Sequence, residues 1–151
     1  MARPHKKRTV HRPPVHVGFK PTGVQSRFLE TLPLALDELE AIRLADYMGM
    51  DHADSAEEMD ISRSTFSRLV ERARRKVAEF LIEGRHLQVD GGEIHFQQNR
   101  VLCDDCGHLL TTGFGPGPTK CPSCGSTNLI DLAGGFGHGP CCRRHHNNRR
   151  R

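Results

Sequence analysis

HADSAEEMDISRSTFSRLVERARRK, residues 52–76, reads as two helices joined by a tight turn, and it decides the fold expected for the chain. Asp51 can cap the first helix by accepting a backbone N–H bond, and Asp54 adds negative charge to the positive first turn. Ser62 can cap the second helix in the same way, and the run from Arg63 to Leu81 contains neither Gly nor Pro. Phe66, Leu69, Val70, Ala73, Val77 and Phe80 recur at three- and four-residue spacing, which makes one apolar stripe. Ala56 is the small residue across which the second helix can pack, and Met59, Ile61, Phe66 and Leu69 supply the buried offsets. Asp60 stands where the turn must go left-handed, a place usually held by glycine and tolerated by Asp at some cost. These features together predict a helix-turn-helix.

The face opposite the stripe carries Arg63, Arg68, Arg72, Arg74, Arg75 and Lys76 against the single acid Glu71. A recognition helix sets its N-terminal residues against base edges in the major groove, so Arg63, Ser64, Ser67 and Arg68 are the expected readers of sequence in double-stranded DNA. Arg72, Arg74, Arg75 and Lys76 are expected to meet phosphates. The competing reading is a solvated, arginine-rich helix in an ordinary bundle. Agreement of capping, turn and apolar offsets favours the first.

At 151 residues, the chain has room for one modest domain and a smaller module. With 5% aromatic residues, no Trp and one Tyr, it is poorly equipped to line a large aromatic pocket. No apolar run approaches the roughly 20 residues needed to span a bilayer, and no apolar segment follows the basic N-terminus as in a signal peptide. These features lead us to expect a soluble, cytoplasmic protein. The net charge of +4 hides an asymmetry: residues 1–20 and the last nine hold eleven of the 22 basic residues, leaving eleven against all 18 acids between them. Arg3, Lys6, Lys7 and Arg8 form an N-terminal basic arm suited to a phosphate backbone or an adjacent minor groove.

Four segments are expected. Residues 1–31, with Pro4, Pro13, Pro14 and Pro21, read as an extended arm and loop, in which Val15, Val17 and Phe19 alternate as in a short strand. Residues 32–92 form the helix-turn-helix domain. Its first helix follows Pro33, with Leu36, Leu39, Ile42 and Ala45 inward and Asp37, Glu38, Glu40, Arg43 and Asp46 outward. Leu87, Val89, Ile94 and Phe96 around Asp90-Gly91-Gly92 suggest a small hairpin at its end. Residues 93–133 are a zinc ribbon, and 134–151 a disordered Gly/His/Cys/Arg-rich tail.

Arg3-Pro4, Phe19-Lys20-Pro21, the run DELEAIRLAD at 37–46, ISRSTFSRL at 61–69 and ARRKVA at 73–78 resemble the uncharacterised protein family 0251, also called domain of unknown function 134, over about residues 2–92. The resemblance implies a DNA-binding protein with a helix-turn-helix like that of sigma-factor region 4, and hence transcriptional regulation. The sequence departs from the family pattern at His52-Ala53-Asp54, where Gln-Glu-Glu is usual, at Asp60, usually Gly, and at Ala35, usually a Thr cap. The fold class is therefore expected to be mainly α, a helix-turn-helix of sigma region-4-like or winged-helix-like type, followed by the small β ribbon and the basic tail.

Cys103-x-x-Cys106 and Cys121-x-x-Cys124 are separated by 14 residues, and Gly107 and Gly125 follow the second Cys of each pair. Two such turns can aim four thiolates at one ion and close a tetrahedral site with no open position for substrate. One structural Zn²⁺ is the expected cofactor, with iron in a rubredoxin-like site the less favoured alternative. Disulfides are disfavoured in a reducing compartment. The ribbon's nearly balanced charge suits a protein contact, with the transcription machinery as candidate partner, or plain stabilisation of the chain end. In the tail, His138, Cys141, Cys142, His145 and His146 could chelate a second ion. Disorder with adventitious metal affinity is the favoured reading there, because no fold fixes ligand geometry.

The function expected is therefore a DNA-binding transcriptional regulator. The alternatives are a metal- or redox-responsive protein and a protein–protein adaptor. No phosphate loop, nucleophile motif or open metal site marks an enzyme. A homodimer is compatible with the class, although no heptad marks a dimer helix.

Overall fold

Capping and glycine placement account for where the helices begin and end. The computed structural model describes residues 6–150, with five α-helices and eight short strands among them. The described residues fall into two compact units, one comprising those up to Thr9 with His16–Ile94, the other Val10–Val15 with the residues from His95 onward.

In the first unit, α1 (Leu36–Ile42) passes into a π-helical turn at Arg43–Tyr47, followed by α2 (His52–Met59) and α3 (Arg63–Glu83). Asp51 caps α2 by accepting the Asp54 N–H at 2.8 Å, and Ser62 caps α3 by accepting the Thr65 N–H at 3.2 Å. Asp60 adopts the left-handed conformation at φ 58° expected of the turn, and its carboxylate pairs with Lys6 at 2.8 Å. The 21-residue α3 runs without interruption until Gly84 ends it at φ 64°, a conformation that penalises any residue with a Cβ. Ala41, Leu44, Ala56, Met59, Phe66, Leu69 and Val70 form the buried cluster between the helices, with Ala45, Met50 and Ile61 packed on it.

Strand β2 (Gly18–Phe19) pairs antiparallel with β4 (His86–Val89), and β3 (Thr31–Leu34) pairs parallel with the other edge of β4. Parallel neighbours need a long crossover, and here all three helices supply it. Leu32, Leu34, Leu87 and Val89 alternate inward on one sheet face.

Two expectations for this unit are corrected. The segment around Gly91-Gly92 is not a hairpin: β4 is already flanked on both edges, and the Gly91 carbonyl instead accepts the Leu36 N–H at the start of α1. Ile94 belongs to β5 (Ile94–Phe96), which pairs not with β4 but with β1 (Arg8–Val10). Nor do the acids of α1 face outward, since Asp37, Glu38 and Glu40 are 6%, 3% and 5% exposed. Each is instead matched by a cation. Asp37 pairs with Arg8, Glu40 with Arg43, and Glu38 with Lys76 and Arg72.

In the second unit, β6 (Asn99–Cys103) is the central strand, with β7 (Leu109–Thr112) and β8 (Leu129–Asp131) antiparallel on either side. The Asn99 amide donates to Asp131 at 2.7 Å and accepts the Ala133 N–H at 3.0 Å, tying β6 to the start of α4 (Leu132–Gly135). The tail expected to be disordered is instead helical as α5 (Pro140–Arg149), with Pro140 in its first turn. Proline is pre-organised for that position, and Cys142 is fully buried.

Candidate functional site

The first candidate site is the basic face of α3. At its N-terminal end Arg63, Ser64 and Arg68 are exposed and Ser67 is half-buried. Ser67 Oγ lies 2.8 Å from His52 Nδ1, which orients both side chains across α2 and α3. Among the described residues, Arg63 and Arg68 take part in no ion pair, so both guanidinium groups are available to an anion or a base edge.

Further along α3 the cations are engaged. Arg74 makes a two-pronged contact with Asp46, at 3.0 and 2.7 Å. Hydrogen bonding from the guanidinium holds the Asp46 carboxyl below its ordinary range and raises Arg74 in turn. Because Asp46 is depressed, any stabilisation is present at neutral pH and is lost as acid protonates it; both groups are well exposed, so it is small. Lys76 Nζ reaches Glu38 Oε1 at 2.7 Å, and Arg72 Nε lies 3.5 Å from Glu38 Oε2. Arg75 faces Glu71 one turn away at 3.7 Å, on the exposed surface. The arm is divided similarly: Lys6 pairs with Asp60 and Arg8 with Asp37, whereas Lys7 is exposed and Arg3 lies outside the described residues.

The sequence therefore marked the basic residues of α3 but not the carboxylates that bind several of them. Helix periodicity placed Asp46 on an outward face without its partner 28 residues on. Glu38 would have been legible as the N3 residue of a capping box, since its Oε1 accepts the Ala35 N–H at 3.1 Å. Ala35 offers no hydroxyl in return.

The second candidate site is the cysteine quartet. Two matching turns build it: the Cys103 and Cys121 carbonyls accept from Gly107 and Gly125 at 2.9 and 2.8 Å, and both glycines have φ near 75°, at 75° and 74°. The left-handed glycine after each second Cys lets the chain fold back, and each first Cys N–H donates across its turn, to His108 O and Ser126 O, at 2.8 Å. Asp105 joins the two turns by accepting from Ser126 and from the Asn128 amide.

Cys103, Cys106, Cys121 and Cys124 bring their four sulfurs within 4.8 Å of one another. The 103–124 and 106–121 pairs are each 3.6 Å apart, far beyond the roughly 2.05 Å of a disulfide. A metal–sulfur bond of about 2.3 Å implies a tetrahedral S···S edge of about 3.8 Å, so the cluster is able to hold a metal ion. Its electrostatics agree. The Cys124 and Ser123 backbone N–H groups help draw the Cys121 thiol down to about 6, whereas Cys124, favoured by the Ser126 N–H but desolvated and crowded by the other sulfurs, is pushed up to about 12. Four adjacent thiols cannot all ionise unaided, and a divalent cation at their centre removes that conflict.

The fold thus combines a helical unit bearing a free basic helix end with a unit bearing a Cys₄ cluster suited to a metal. The chain belongs to the family described as protein of unknown function DUF134, whose family model matches residues 1–97. Relatives named UPF0251 protein include one from Chloroherpeton thalassium, 48% identical over 132 residues covering 87% of each chain. One from Moorella thermoacetica is 42% identical over 145 residues, covering 96% of this chain and 95% of its own. A third, from the archaeon Methanosarcina mazei, is 41% identical over 142 residues, covering 88% and 80%. No solved structure matches the chain. Among the described residues no helix is long and apolar enough to cross a membrane.

Proposed function

We propose that the chain is a double-stranded-DNA-binding protein that regulates transcription, and that α2 and α3 act as its helix-turn-helix. The observation that carries this reading is the contrast along α3. Arg63 and Arg68, in the first two turns, are exposed and without ion pairs among the described residues, beside Ser64 and Ser67. Arg72, Arg74 and Lys76 meet carboxylates of the α1 segment instead. A recognition helix reads bases with its N-terminal residues, and in this chain that end keeps its guanidinium groups uncommitted. The Cys quartet is assigned one structural Zn²⁺, because a closed tetrahedral Cys₄ set offers no open position for a substrate.

Arg63→Ala or Arg68→Ala is expected to cost about 1–3 kcal/mol on a selected duplex and little on random-sequence duplex. Fluorescence anisotropy at fixed salt reads both, and equal losses on the two DNAs would remove these residues as readers. Asp46→Asn provides a second test, because it removes an acid and frees Arg74 for phosphate. Affinity for random duplex should rise several-fold at low salt, with a steeper salt dependence. An unchanged salt slope would exclude Arg74 from the backbone contact.

A further inference from the structure

Away from the quartet, the second unit gathers a different set of ligating atoms. His95, His138, Cys141 and Cys142 each offer one nitrogen or sulfur atom, and all four atoms lie within 4.8 Å of one another. His95 comes from strand β5, His138 from the turn after α4, and the two cysteines from the first turn of α5. Sequence proximity groups the cysteines with tail histidines alone. His95 lies 43 residues before His138, and only the fold brings it in.

The distances are those of a coordination shell. Cys141 Sγ and Cys142 Sγ are 3.8 Å apart, the tetrahedral edge that bonds of about 2.3 Å require. His138 Nδ1 lies 3.3 Å from Cys141 Sγ and 3.4 Å from Cys142 Sγ, and His95 Nδ1 lies 3.7 Å from Cys142 Sγ. With metal–nitrogen bonds of about 2.0–2.1 Å, a tetrahedral N···S edge is about 3.6 Å. The surroundings orient the ligands. The Phe96 N–H donates to Cys142 Sγ at 3.3 Å, as the Ser123 N–H does to Cys121 Sγ at 3.4 Å in the quartet. His145 stacks on the His95 ring at 4.4 Å, and the Phe96 ring meets His138 edge-on at 5.2 Å.

We propose that His95, His138, Cys141 and Cys142 form a second metal site, a tetrahedral S₂N₂ centre for Zn²⁺ whose occupancy fastens α5 to β5. Thiol–imidazole hydrogen bonding alone is a poorer account of the cluster. Cys142 Sγ already accepts the Phe96 N–H and also faces two imidazole nitrogens and a second sulfur, and its single S–H proton can be directed at only one of those three. A central cation is approached favourably by all four lone pairs. Two thiolates offset the charge of Zn²⁺, so the filled site is neutral, which suits the burial of Cys142 and His95. Hard cations such as Mg²⁺ and Ca²⁺ prefer oxygen ligands and are excluded by this donor set.

The ion also explains how α5 is held. Its ten residues are fewer than the roughly 12–15 an isolated helix needs in water. Cys142 is its one buried residue among those described, so apolar burial contributes little. Loading the site therefore orders a helix that carries Arg143, Arg144 and Arg149, and stripping it releases that helix.

Zinc content of the reduced, full-length protein, loaded with Zn²⁺ and freed of excess, tests the inference. Wild type should carry two ions per chain, and Cys141→Ser and His138→Ala one each. The double substitution Cys103→Ser with Cys106→Ser should also retain one, and that ion should disappear when Cys141→Ser is added. Trypsin gives a second readout, since cleavage after Arg143 or Arg144 should be at least ten times slower in zinc-loaded than in chelator-treated wild type, a difference abolished by Cys141→Ser. One ion per chain, lost only with the quartet substitutions, would overturn the site. One ion lost only with Cys141→Ser or His138→Ala would uphold it and remove the zinc assigned to the quartet.

Discussion

Cys121→Ser is expected to cost the second unit one metal ion and the order of β6, β7 and β8. Few apolar side chains are buried there besides Val10, Phe96, Val101, Ala133, Cys103, Cys121 and Cys142, and a module of this size cannot stand on apolar burial alone. Structural zinc in comparable small modules contributes roughly 10–16 kcal/mol at neutral pH, as much as the whole stability of an ordinary domain, about 5–15 kcal/mol. The Cys121 thiol is also drawn down to about 6 by the Cys124 and Ser123 backbone N–H groups, and serine cannot replace that thiolate. Amide hydrogen exchange should report the loss directly. Protection in Arg100–Leu102 and Leu109–Thr111 should collapse to near-unfolded rates, with protection in α1 and α3 retained. Native protection of β6 together with loss of the ion would show that the metal does not hold this sheet.

Glu38→Ala carries the largest expected effect in the first unit, about 2–4 kcal/mol. The carboxylate is buried, receives Lys76 at 2.7 Å, faces Arg72 and accepts the N–H of Ala35, the residue that precedes α1. Removing it leaves an ammonium half-buried without its partner and uncaps the helix, the first costing up to about 3–5 kcal/mol in full burial and the second about 1. The lower range reflects Lys76 and Arg72, which remain partly in water. Urea unfolding followed by helix circular dichroism should show a lowered midpoint with unchanged slope. Arg74→Ala, which breaks only the exposed Asp46 pair, should stay within about 0.5 kcal/mol of wild type. Equal effects of the two substitutions would contradict the distinction between buried and exposed pairs.

Local chemistry made much of the fold legible. Asp51 and Ser62 announced the starts of α2 and α3, and Asp60 their left-handed turn, because caps and φ > 0 positions depend on neighbouring residues alone. The spacing of the two CxxC turns identified the quartet for the same reason. Long-range pairing escaped the sequence. Gly91 and Gly92 signalled a turn, but a turn does not say which strands it joins, and β4 finds partners in β2 and β3. The acids of α1 looked solvated because charge is usually exposed; their cations come from β1 and α3, and from Arg43 one turn further along the same helical segment. The tail looked disordered because its composition is polar. The first turn of α5 instead meets a set of donor atoms that includes a histidine from β5, a grouping hydropathy does not register.

Selection of a random duplex library by the zinc-loaded protein, with sequencing of the bound fraction, separates base reading by α3 from contact with phosphates alone. One enriched base motif is expected, and it should disappear for the protein carrying both Arg63→Ala and Arg68→Ala, while salt-sensitive binding to unselected duplex persists. Recovery of a library with no enriched motif, or the same motif from wild type and the double variant, would contradict it.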